Sequence, residues 1–220
     1  MPISSVSNID CMEAMKKWPD KYFNLAIVDP PYGIDINMNM GRKAGQAKAH
    51  KDKKWDSSPP DEEYFTELNR VSENQIIWGG NYFKLPITKS WIFWDKMVPR
   101  GVSFADGELA WTSFDKTLVI ARIKYTGFQG MDVGGKIHPT QKPVNLYSWL
   151  LQKYAKLGDK ILDTHLGSGS SRIAAFNAGY DFWGYEIDEE YYNDQEKRFN
   201  AGVINTVFGD ISESKPVNLF

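Results

Sequence analysis

The chain has 220 residues, 42% of them hydrophobic and 25% charged, with a formal net charge of −2. These proportions describe one globular domain with a substantial core, and they exclude a chain that is a polycation throughout. A single cysteine, Cys11, excludes an intramolecular disulfide, and with only three histidines there are too few soft ligands for a zinc cluster.

No run approaches the ~18 apolar residues of a membrane span, and MPISSVSNID lacks the regions of a signal peptide, so a cytoplasmic location is expected. In chain order, residues 5–9 read as a short strand and 12–18 as a short helix. The apolar run at 23–28 reads as a buried strand. Residues 62–71 form an amphipathic helix, with Tyr64, Phe65 and Leu68 at helical spacing and Asp61 available as its cap. Strands are expected at 75–78 and 91–94, separated by Gly79-Gly80, and residues 109–112 and 117–123 read as the arms of a hairpin. The helix expected at 143–156 places Tyr147, Leu150, Leu151 and Tyr154 on one face, with Pro143 in its first turn. Then follow a strand at 160–162, a helix at 170–177 ended by Gly179, a strand at 182–185 and a last helix from 189 to 199, ended near Gly202. Such alternation predicts an α/β fold with a mostly parallel sheet, helices on both faces and an antiparallel hairpin.

Two places in this order carry chemistry. Asp29-Pro30-Pro31-Tyr32-Gly33 follows the buried strand directly. The two prolines remove backbone donors and fix φ, so the ladder stops and a rigid turn stands at the strand's carboxyl end, where open α/β sheets bind ligands. A carboxylate, outward carbonyls and an aromatic ring displayed together suit a planar amine. The other reading is a Pro-rich turn with a surface Asp and a packed Tyr. The second place is Asp163-Thr164-His165-Leu166-Gly167-Ser168-Gly169-Ser170-Ser171, between a strand and a helix. Its glycines allow close approach of a ligand, although a loop that merely needs small residues would look the same. Glu186 ends the next strand, where an acid accepts from ribose hydroxyls. The third glycine of a dinucleotide loop is missing, so a ribose-bearing cofactor without a pyrophosphate contact fits better than NAD. S-adenosylmethionine is the natural candidate. His138-Pro139-Thr140-Gln141-Lys142-Pro143 precedes a helix and forms a rigid lip for the same pocket.

Within the loop at 34–60, the stretch GRKAGQAKAHKDKKW carries Arg42, Lys43, Lys48, Lys51, Lys53 and Lys54 against one acid, Asp52. It has no apolar periodicity. Positive charge beside the DPPYG turn suits a phosphate-tracking segment, while a solvated insertion would carry the same lysines.

DPPYG, HPTQKP, a helix, DTHLGSGSS and an acid-ending strand, in that order, resemble the β-class of S-adenosylmethionine-dependent DNA amino-methyltransferases over about residues 8–200. The resemblance implies one Rossmann-like methyltransferase domain across 1–220, with the catalytic half preceding the cofactor half in circularly permuted order. Asp29 and the Pro30 carbonyl would accept the two hydrogens of an exocyclic amine, Pro31 would fix the turn, and Tyr32 would stack on the extruded base. Asp163, Gly167 and Gly169 would shape the methionine side of the cofactor pocket, and Thr140, Lys142 and Ser170 its lip. Glu186 would hold the ribose and Asp10 would lie near the adenine, although an Asp before a helix equally serves as an N-cap. Double-stranded DNA is the implied partner, with a short target-recognition segment at 124–137, and homodimers are common in the family. Asp before Pro-Pro-Tyr is associated there with adenine N6, and Ser with cytosine N4. His165 and Leu166 replace a Pro-Phe pair often found in relatives. The competing readings are cytosine-N4 methylation, a non-catalytic DNA-binding module on this fold, and an NAD-dependent oxidoreductase, which leaves DPPYG unexplained.

Overall fold

A computed structural model of the chain describes residues 1–34, 56–99, 105–125 and 135–208. Arg42, Lys43, Lys48, Lys51, Lys53 and Lys54, and residues 126–134 of the recognition segment, lie outside the described residues. The strands are β1 (Ser4–Asn8), β2 (Phe23–Val28), β3 (Ser72–Trp78), β4 (Trp91–Asp95), β5 (Gly107–Thr112), β6 (Val119–Arg122), β7 (Lys160–Asp163) and β8 (Asp181–Glu186). The helices are α1 (Cys11–Met15), α2 (Glu62–Val71), α3 (Val144–Tyr154), α4 (Ser170–Asn177) and α5 (Glu189–Phe208). Among the described residues the strands form one sheet in the order β1-β8-β7-β2-β3-β5-β4-β6.

The left part of that sheet, β1-β8-β7-β2-β3, is parallel throughout. From β2 the chain crosses to β3 on one side, and from β7 it crosses to β8 on the other. The boundary between β2 and β7 is therefore the switch point of the sheet, where the loops at the strand ends diverge and leave a crevice. The run Leu25-Ala26-Ile27-Val28 of β2 is continuously apolar because both faces are covered. Leu25 and Ile27 join the layer containing α3 and α4, whereas Ala26 and Val28 join the layer of α1 and α2. Ile27, Ile76, Ile92, Leu146 and Leu150 are all about fully buried, each contributing roughly 1.5–3 kcal/mol by removal from water.

Most helix boundaries follow local signals. The Asp61 carboxylate accepts from Tyr64 N at 3.0 Å and starts α2 as expected. Asp10 does the same for α1, accepting from Met12 N and Glu13 N. That helix is shorter than the expected 12–18, because Pro19 disfavours helical geometry at Trp18. The expected hairpin between residues 109–112 and 117–123 does not form. β5 pairs antiparallel with β3 and β4, and β6 instead adds parallel to the far edge of β4. The antiparallel pairings are thus β3–β5 and β4–β5. The last helix also runs past Gly202 to Phe208. One glycine costs a helix only ~1 kcal/mol relative to alanine and does not stop it alone. Among the described residues, no helix is long and apolar enough to cross a membrane.

Candidate active site

Three adjacent parallel strands end at the same edge of the sheet, and each delivers a carboxylate there: Glu186 from β8, Asp163 from β7 and Asp29 just beyond β2. A cavity of about 280 Å³ opens at this edge. Its wall includes Asp29, Pro30, Pro31 and Tyr32, together with Thr140, Lys142, Gly167 and Glu186. Asp10, Asp163, Gly169 and Ser170, expected at the cofactor side, do not line it.

The DPPYG turn is held from behind. The buried Asp56 carboxylate accepts from Tyr32 N at 2.6 Å and from Gly33 N at 3.1 Å, which satisfies two amides left over when the prolines end the ladder. Tyr32 Oη donates to Asp29 Oδ1 at 2.6 Å. Its ring lies against Gly79 and stacks on Tyr82, with centroids 5.1 Å apart and planes 13° from parallel. Tyr82 therefore covers one face of the ring on which an extruded base is expected to stack. Burial and the adjacent Asp29 hold the Tyr32 phenol far above its ordinary value, so the hydroxyl stays a donor.

Asp29 Oδ2 accepts from Lys142 Nζ at 2.5 Å. Burial raises the Asp29 carboxyl above its ordinary value, and the Lys142 ammonium pulls it back toward the ionised form. Lys142 was expected at the cofactor lip, and its ammonium lies on the DPPYG turn, against Asp29. Glu108 of β5, Tyr147 of α3 and Tyr191 of α5 also line the cavity. Only Tyr147 was singled out from sequence, and then as part of a core face.

The glycine loop is fastened by its own acids. Asp163 Oδ1 accepts from His165 N at 3.0 Å and Oδ2 accepts from Ser171 Oγ at 2.5 Å. Burial pushes the Asp163 carboxyl up to about 7 against these bonds. Leu166 is buried and sits over Gly184, with its N donating to Tyr185 O at 2.9 Å, so it supplies the apolar contact at this corner. Gly167 has φ +51°, and a Cβ there would meet no atom nearer than 3.9 Å. Its N donates to Glu186 Oε2 at 2.8 Å, while Asp188 N donates to Oε1 at 2.9 Å. These two bonds orient the Glu186 carboxylate and leave its remaining lone pairs toward the cavity. Gly169, at φ +72°, precedes α4 in a left-handed conformation that favours glycine, and a Cβ there would press on Gln195 Oε1 at 3.1 Å. The lip is tied down by Gln141, which accepts from Ile137 N and donates to Gly135 O. His138 meets the Tyr191 ring edge-on at 4.4 Å.

His165 gives a direct check of this environment. Burial pushes its imidazole from 6.5 down to about 4. A titration of the His165 ring by NMR is expected to show a neutral ring down to about pH 4. Because the unfolded chain binds a proton that the folded one refuses, this contribution to stability is complete above pH 6.5 and is lost as pH falls through 4. A midpoint near 6.5 would contradict the burial.

A family model described as DNA methylase (N6_N4_Mtase) matches residues 79–197. YubD of Escherichia coli (strain K12) is 24% identical over 208 residues, covering 87% of this chain and 88% of its own length. The type II methyltransferase M.HinfI of Haemophilus influenzae is 25% identical over 244 residues, covering 89% and 68%. Among solved structures, M1.HpyAVI in complex with SAM aligns with a TM-score of 0.57 at 19% identity, over 89% of this chain and 98% of that one. The cytosine-N4-specific PvuII DNA methyltransferase aligns with a TM-score of 0.56 at 14% identity, over 90% and 87%. The chain belongs to the N6/N4 family of DNA methylases.

Proposed function

We propose that the protein transfers a methyl group from S-adenosylmethionine to the exocyclic N6 of an adenine flipped out of double-stranded DNA. The observation that carries this reading is one cavity walled both by Asp29, Pro30 and Tyr32 and by Gly167 and Glu186. The first set suits an aromatic amine and the second a ribose-bearing cofactor. The second set fits that cofactor on its own geometry. Gly167 leaves space for close approach, and Glu186 is an oriented, half-buried acceptor at the end of its strand. Glu186, Gly167 and Thr140 would hold S-adenosylmethionine, which supplies an electrophilic methyl group when bound.

The chain's own residues account for the rest. An aromatic amine is a weak nucleophile because its lone pair is delocalised into the ring. Asp29 and the Pro30 carbonyl, each accepting one N–H, favour a pyramidal nitrogen and localise that pair. Positive charge grows on the nitrogen as the new bond forms, and the adjacent Asp29 carboxylate stabilises it. Alignment matters more than a strong base here. The base must leave the stack, at a cost of a few kcal/mol. Stacking on Tyr32, in exchange for its contact with Tyr82, offsets part of this, since such stacking contributes roughly 1–3 kcal/mol per base in single-strand binders.

Adenine rather than cytosine rests on Asp29 before Pro-Pro-Tyr. Nucleoside mass spectrometry of DNA treated with the enzyme tests it: N6-methyladenine is expected, and N4-methylcytosine would keep the chemistry and assign the other base. The basic stretch supplies a second test. Neutralising Lys51, Lys53 and Lys54 together is expected to weaken DNA binding and to lower the salt slope by roughly one per lost phosphate contact. An unchanged slope would remove that stretch from the DNA interface.

A further inference from the structure

Lys142 reaches the DPPYG turn from the segment before α3, and it does not stand there alone. Its Nζ lies 2.5 Å from Asp29 Oδ2 and 3.1 Å from Glu108 Oε2. Glu108 in turn holds Lys96 Nζ at 2.6 Å through its other oxygen. The result is a row of alternating charge, Asp29–Lys142–Glu108–Lys96, assembled from the β2 turn, the segment before α3, β5 and the end of β4. The Lys142 side chain is 3% exposed, and its ammonium also lies over the rings of Trp78 and Tyr32, at 5.3 and 5.8 Å. Asp29 and Glu108, the two acids of the row, both face the cavity.

We propose that Lys142 is the positioning residue of the methyl-transfer step: seated on Glu108, it keeps the Asp29 carboxylate ionised and fixed in orientation for the incoming amine. This rests on the reading of Asp29 as the amine acceptor. Two physical points support it. Tyr32 Oη takes one acceptor site on Oδ1 and Lys142 one on Oδ2, and a carboxylate keeps further lone pairs to accept an amine hydrogen. A carboxylate walled in by Pro30, Tyr32 and Tyr147 would otherwise take up a proton and lose its acceptor charge. The ionisable groups that bear on Asp29 are Tyr32 beside it, Tyr64 on α2, Glu108 on β5, Tyr147 on α3 and Asp163 at the end of β7. Burial keeps the three tyrosines neutral, and Glu108 and Asp163 both disfavour a charged Asp29. Against those, Lys142 is the cation in contact with the carboxylate. The ammonium itself is pushed down by burial, and the attraction of Asp29 and Glu108 more than reverses that, so it stays protonated.

The test is the pH profile of kcat in full-length Lys142→Met, Lys142→Arg and Lys142→Met/Glu108→Gln, beside Asp29→Asn. Lys142→Met is expected to lose on the order of tenfold or more in kcat near neutrality, with its acid limb moved up by about one unit or more. KM for S-adenosylmethionine should stay within about threefold, because the cofactor contacts are untouched. Lys142→Arg, which keeps the charge, should retain the wild-type limb. The double variant removes the like charge of Glu108 along with the ammonium, so its limb should fall between the two; it also relieves the buried carboxylate that would hinder folding of the single variant. A raised KM for the cofactor with an unmoved limb would return Lys142 to the cofactor lip and overturn the proposal. So would a wild-type limb and kcat in a folded Lys142→Met. Full activity in Asp29→Asn would instead overturn the acceptor reading on which the proposal rests.

Discussion

Asp29→Ala is expected to lower methyl transfer by on the order of 10²–10³-fold or more, the range seen when one charge-stabilising group is removed from an active site, while S-adenosylmethionine still binds. Asp29 lies at the DPPYG end of the cavity, and the groups proposed to hold the cofactor, Gly167 and Glu186, reach it from the loop after β7 and the end of β8. In the proposed mechanism, losing the carboxylate removes the acceptor for one amine hydrogen and the charge that stabilises the developing cation. It also strands part of the Lys142 ammonium's compensation, although Glu108 at 3.1 Å still neutralises it. Some loss of thermal stability therefore accompanies the kinetic effect, and Asp29→Asn, which keeps the shape and one acceptor oxygen, separates the two. Single-turnover transfer together with calorimetric cofactor binding on the same preparation checks this. Wild-type turnover would remove Asp29 from the mechanism.

The second large effect is expected at a residue that makes no hydrogen bond to substrate. Gly79 has φ +67°, and a Cβ there would lie 2.2 Å from Tyr32 Cε1 and 2.6 Å from Cδ1 and Cζ. Gly79→Ala must therefore move the Tyr32 ring, and with it the 2.6 Å bond from Tyr32 Oη to Asp29. The left-handed backbone adds roughly 1–2 kcal/mol of strain for any residue with a side chain. A displacement near 1 Å at a reacting group can cost ~10²-fold in rate, so a loss of about that size in kcat is expected, along with a lowered Tm. Fluorescence of a base analogue at the target position should also show weaker stacking in the flipped state. Unchanged kcat and Tm in Gly79→Ala would mean that the Tyr32 ring is not fixed where it matters.

How far the sequence reaches is visible in single residues. The strand at 23–28 and the helices at 62–71 and 170–177 were legible to the residue, because Asp29-Pro30-Pro31, Asp61 and the Gly167–Gly169 turn punctuate the chain locally. The partner of β6 was not legible. Its apolar residues announce a strand, but nothing in Val119–Arg122 distinguishes pairing with β5 from pairing with β4. The site shows the same division. Asp29, Pro30, Tyr32, Thr140, Gly167 and Glu186 lie in motifs and do reach the cavity. Asp163 and Gly169 belong to the same motifs, but they fasten the loop and its packing. Glu108 carried no local signal, because its place follows from an antiparallel register set by β3 and β4. Lys142 was noticed for its string, and only the fold shows that its ammonium points to Asp29.

The most direct measurement is transfer of isotopically labelled methyl from S-adenosylmethionine to unmethylated duplex DNA, with cofactor binding measured on the same sample. The account predicts bound cofactor and label recovered in an amino-methylated nucleoside. Bound cofactor with no label in DNA would contradict it.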